Sequence, residues 1–125
     1  TVNPSSAINL STLTPELILQ TLNKSGDADR VSLDFFYWVS SKSESTDFEL
    51  SDEVLSYFTD YFGRRKDFKI LHDVLVEGKA KNLIGIRTFN SVIDRLIRAG
   101  RATHAISFFT KMGEEYGIVR ERDEV

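Results

Sequence analysis

Arg87, Asn90, Asp94 and Arg98 recur at spacings that place them on one side of a helix. They face away from the apolar stripe Phe89, Val92, Ile93 and Leu96, so they could line one groove. A row with guanidinium groups at its ends suits an anionic partner. The densest basic cluster, Arg64-Arg65-Lys66 with Lys69 close by, reads either as phosphate contact or as a solvated turn held by a salt bridge or two. Lys79 and Lys81 fit either reading. No nucleophile–base–orienter group or pair of facing carboxylates stands out. Asp52-Glu53 opens a helix, where complementarity to the helix dipole accounts for the two acids. Cysteine is absent and the two histidines, His72 and His104, are isolated. A disulfide framework and a thiolate or histidine metal site are therefore not expected. The expectation is a binding protein and not an enzyme, with no metal, cofactor or small-molecule substrate.

The elements that must position these residues are helices. The chain has 125 residues, enough for one modest domain, and its 41% hydrophobic and 28% charged content excludes a disordered class. No apolar run approaches a membrane span, so no membrane partner is expected. The chain starts without Met, and its Ser/Thr-rich opening points to a processed or excised piece of something longer. The only prolines, Pro4 and Pro15, precede the first apolar segment and leave the rest free to be helical. The net charge of -3 is uneven: residues 1–59 carry -6, residues 60–101 carry +5 and residues 102–125 carry -2.

Six helices follow from the apolar spacing. Thr14-Pro15-Glu16 opens the first and Ser25-Gly26-Asp27 breaks it. Asp29 caps a second, with Leu33, Phe35, Phe36 and Val39 inside, before a polar loop at Ser40–Thr46. Ser51-Asp52-Glu53 starts a third, ended by Gly63-Arg64-Arg65. A fourth runs from about Asp67 to Glu77, followed by a basic loop from Gly78 to Gly85. The fifth holds Phe89 to Ile97 and stops at Gly100. The sixth holds Ala105, Ile106, Phe108, Phe109 and Met112 and stops near Gly113–Gly117. No segment shows a period-two strand pattern.

The helices repeat. A shift of 35 residues lays Val54, Tyr57, Phe58, Tyr61 and Phe62 on Phe89, Val92, Ile93, Leu96 and Ile97. A shift of 73 lays Ser32, Leu33, Phe35, Phe36 and Val39 on Ala105, Ile106, Phe108, Phe109 and Met112, with three extra residues assigned to the Ser40–Thr46 loop. One hairpin cannot bury its stripe alone, so the expected fold is all-α, a solenoid of three stacked helical hairpins. The small residues Ser32 and Ala105 sit where helices approach closely. Residues 1–13 are expected to be a flexible segment, 14–118 the repeat domain, and 119–125 a tail or the start of another repeat.

Ile86 to Ile118 resembles a pentatricopeptide repeat. Its T-F-N-S-V-I-D opening, R-A-G-R turn, A-I-S-F-F-T-K-M second helix and Y-G-I exit stand in family order. Ser51 to Gly85 resembles a degenerate repeat, and Leu13 onward resembles the segment preceding the array in plant organellar P-class members. The resemblance implies a right-handed solenoid that binds single-stranded RNA, reading about one base per repeat with two or three side chains. It places Asn90 at the base-reading position, its amide offering donor and acceptor. Arg87 falls at the sandwiching position, where the family prefers an aliphatic residue. Glu121 falls at the partner reading position, where the family usually has Asp or Asn. The reading position of the second repeat falls on Leu55, which cannot hydrogen-bond a base, and that of the first near Glu16. Asn90, Arg87 and Glu121, with Asp94, Arg98, Arg64, Arg65 and Lys66, make up the candidate RNA surface. The implied setting is RNA metabolism in a mitochondrion or chloroplast, the mitochondrion being favoured. The alternative is a protein-binding assembly module of an organellar ribonucleoprotein such as the mitochondrial ribosome.

Overall fold

Three side chains start helices by accepting from the backbone just ahead of them. Leu17 N–H donates to Thr14 Oγ1 (3.2 Å), Val54 N–H to Ser51 Oγ (3.2 Å) and Ile70 N–H to Asp67 Oδ1 (3.2 Å). In the computed structural model, which describes residues 13–26, 29–42 and 48–111, six helices result. They are α1 (Pro15–Lys24), α2 (Asp29–Lys42), α3 (Asp52–Arg64), α4 (Phe68–Ala80), α5 (Ile86–Arg98) and α6 (Ala102–Lys111). No strand occurs among the described residues. The first helices of the hairpins form one layer, α1 on α3 on α5; of the second helices, α2 lies against α4, and α6 packs on α5. The fold is the all-α solenoid of three stacked hairpins.

The core runs unbroken through the stack. Ile18 and Leu22 of α1, Phe35, Phe36 and Val39 of α2, and Phe58 and Phe62 of α3 are fully or almost fully buried. Phe58 joins the first two hairpins, with its ring 5.0 Å from that of Phe36 and 5.9 Å from that of Phe35. Leu13 is buried as well and packs into this core. Ser32 lies buried where α2 meets α3. Its hydroxyl donates to Tyr61 Oη (3.1 Å), and Tyr61 in turn donates to the Gly26 carbonyl (2.9 Å).

Several sequence expectations shift. The repeat of about 35 residues stands, but its register moves by one. Helix starts step by 34 residues from Asp52 to Ile86 and from Phe68 to Ala102, and by 39 from Asp29 to Phe68. Burial follows that register: Leu55, Phe58 and Phe62 match Phe89, Val92 and Leu96, all buried. The shift of 73 between α2 and α6 is unchanged, and the extra length belongs to the first step. The second hairpin turns on Lys66, which adopts φ 59°, and not on Gly63, which stays within α3. Gly78 also stays helical, so the expected 78–85 loop is shorter. Phe108 is buried at 9% relative exposure while Phe109, expected in the core, is 40% exposed. Ile97 and Ile106 are likewise exposed, because no hairpin described here covers the far side of α5 and α6.

Candidate nucleic-acid and protein interface

The seam between α3 and α5 positions most of the candidate residues. Gly85 precedes α5 and has no side chain with which to cap it. The cap comes from the previous hairpin. Asp52 Oδ1 accepts from Gly85 N–H (2.8 Å) and Thr88 N–H (3.0 Å), and Oδ2 accepts from Arg87 N–H (2.9 Å). The Thr88 hydroxyl donates back to the Asp52 carbonyl (3.1 Å). One carboxylate thus satisfies three amides of the next first helix and sits at its positive end. Sequence reasoning gave Asp52 only its own helix. The bare Gly85 was the available signal that a cap must come from elsewhere.

Along the same seam the charges pair. Arg87 Nη1 lies 3.2 Å from Glu53 Oε2, which also accepts from Tyr57 Oη at 3.0 Å. Burial, then the Glu53 hydrogen bond and charge, raise the Tyr57 phenol above its ordinary 10.0. Asp60 receives Arg95 Nε at 2.7 Å and Arg64 Nε at 3.3 Å. Arg98 Nε donates to both oxygens of Asp94 (2.9 and 3.0 Å). Between them, Ser91 Oγ accepts from Thr59 Oγ1 at 3.0 Å.

Arg87, Asn90, Asp94 and Arg98 are all exposed and share one face of α5, as their spacing predicts. Arg64 shares Asp60 with Arg95 of α5. Arg65 turns the other way, donating to the Gly26 carbonyl (2.9 Å) and lying 5.5 Å over the Tyr61 ring. Lys66 is exposed on the turn. Glu121 lies outside the described residues. Leu55, on which the reading position of the second repeat falls, is fully buried in the core. In the structural register the counterpart of Asn90 is Ser56, whose hydroxyl donates to the Glu53 carbonyl (2.6 Å). Among the described residues, no group of three or more His, Asp or Glu could hold a metal, and no helix is long and apolar enough to cross a membrane.

Over 111 residues, 89% of its length, the chain is 46% identical to small ribosomal subunit protein mL104 (rPPR9) of Arabidopsis thaliana, covering 20% of that protein. It is 30% identical over 112 residues to a mitochondrial pentatricopeptide repeat-containing protein of the same plant, and 24% identical over 109 residues to another. It is a helical-repeat chain related to the plant pentatricopeptide-repeat proteins. No family model matches it, and no solved structure does. The chain spans about a fifth of the length of these relatives. Its stacked hairpins and the step near 35 residues agree with that kinship, while the capping and pairing along α3 and α5 are features of its own geometry.

Proposed function

We propose that this chain is an assembly module of a plant mitochondrial ribonucleoprotein, holding protein neighbours in place, with RNA contact as a secondary contribution. The observation that carries this reading is the pairing of its arginines. Arg87, Arg98 and Arg64 each meet a carboxylate of the chain itself, and Arg65 meets a backbone carbonyl. Arginines held against the chain's own carboxylates present less field to a phosphate than their number suggests, although Arg64 and Arg95 share the single carboxylate of Asp60. The similarity to a small ribosomal subunit protein and to two proteins named as mitochondrial supports the same setting. Asn90, exposed beside the Asp94–Arg98 pair, is the residue through which a base would be read, and Lys66 would supply phosphate contact.

The test is affinity purification of the tagged chain from plant mitochondria, with and without ribonuclease. Ribosomal proteins that co-purify and persist after the nuclease support assembly. Partners lost entirely on nuclease treatment would make RNA the main ligand.

A further inference from the structure

Between the second helices α4 and α6 runs an open groove of about 300 Å³, away from the α5 face that carries Arg87 and Asn90. Its floor is apolar: Leu71 and Leu75 of α4, Val92 and Leu96 of α5 and Phe108 of α6. Its rim is basic. The cations Arg101 and Lys111 and the imidazoles of His72 and His104 border it, and among the described residues no carboxylate does. That bias is built by α4, whose acids lie on the opposite flank. Glu77 accepts from Ser40 of α2 (2.6 Å) and lies 3.6 Å from Lys81. Asp73 and Glu77 both act on Tyr37 of α2, whose phenol is raised by burial and by their charges. The side of α4 turned to α6 is left to His72 and the apolar pair.

We infer that this groove is a docking site for an acidic amphipathic helix of a partner protein. Charge complementarity selects an acidic occupant, and the aliphatic floor selects apolar anchors one helical turn apart. The aromatic rings in reach do not favour a nucleic acid. Phe108 is buried and stacked on Phe89 at 5.6 Å, and the Arg101 guanidinium covers one face of Phe68 at 4.6 Å, so neither ring stands free as a stacking platform for a base. A cleft near 300 Å³ lies at the small end of the range for ligand sites, which fits one or two anchoring side chains. The inference rests on the assembly reading and names one surface that would serve it.

The test uses the 125-residue chain and fluorescent sixteen-residue probes by anisotropy: a Glu/Leu amphipathic helix, a Lys/Leu helix of the same pattern, and a scrambled Glu/Leu sequence. The expected result is at least about tenfold tighter binding of the Glu/Leu helix than of either control. The double variant His104→Glu/Lys111→Glu, and separately Ser107→Trp, should each weaken it about tenfold or more. These three positions are exposed, and circular dichroism checks that the fold is retained. Lys24→Ala, at an exposed position of α1, should leave binding unchanged. Equal affinity for all three probes, no saturable binding, or indifference to the groove variants would overturn the inference. So would a single-stranded oligouridylate that binds more tightly than the peptide and is weakened by the same variants. If groove variants keep the nuclease-resistant partners of the tagged chain, the groove is not the contact and the assembly reading still stands.

Discussion

Asp52 holds two helices with one carboxylate, so its removal is felt beyond its own helix. Asp52→Ala leaves the amides of Gly85, Arg87 and Thr88 without their acceptor. A loss of about 2 kcal/mol is expected in urea unfolding, at the upper end for a helix cap. Asp52→Asn, which keeps one acceptor oxygen, should lose less. The buried and exposed phenylalanines of α6 separate in the same assay. Phe108→Ala should cost about 3 kcal/mol and Phe109→Ala less than half of that, whereas treating both as core would give similar losses. Tyr57 makes a prediction in pH. Its folded pKa is raised above 10.0, so the folded state retains the phenol proton that the unfolded state gives up. The associated stability is whole below pH 10 and declines as pH rises from there through the folded value. Tyr57→Phe should remove that part of the alkaline loss, and absorbance titration of the phenolate checks the raised value.

Helix packing explains which parts of the fold could be read from sequence. Thr14, Ser51 and Asp67 announce their helices through local capping chemistry, and each caps as its type predicts. The register was harder, because the apolar stripe is wide enough to match itself at two neighbouring shifts. At the true step Val54 falls on Thr88 and Tyr61 on Arg95, which look like mismatches. Thr88 is nonetheless buried because its hydroxyl and amide are both bonded to Asp52, and Arg95 packs its stem on Gly63 while its head reaches Asp60. Polar residues thus occupy core positions by finding partners on another helix, which apolar periodicity cannot show. The same limit governed the α5 surface: the spacing put Arg87 and Arg98 on one face, but Glu53 and its hold on Arg87 come from α3. Gly63 supplies the test at this scale. A Cβ there would stand 2.6 Å from Cβ and Cγ of Arg95, atoms too near the backbone to swing aside. Gly63→Ala should therefore destabilise by a net of roughly 1–2 kcal/mol in chemical denaturation, although alanine is the better helix former by about 1 kcal/mol.

In the whole molecule, α3 is the central element, covered by α1, α4 and α5, while α6 has only α5 as an extensive neighbour. Stability in a stacked array is set by neighbours, so amide exchange should be slower in α3 than in α6, measured by mass spectrometry or NMR. The two layers also differ in how they are joined. The first-helix layer is closed at α3 and α5 by a glycine contact, a carboxylate cap and an ion pair. The second-helix layer at α4 and α6 is parted by the basic-rimmed groove. Mechanically, the seam between α3 and α5 is an inextensible edge and the opposite side is compliant. Bending of the array will occur as rotation about that edge, widening or narrowing the α4–α6 side at little cost. A ligand wedged there would set the curvature of everything stacked beyond it.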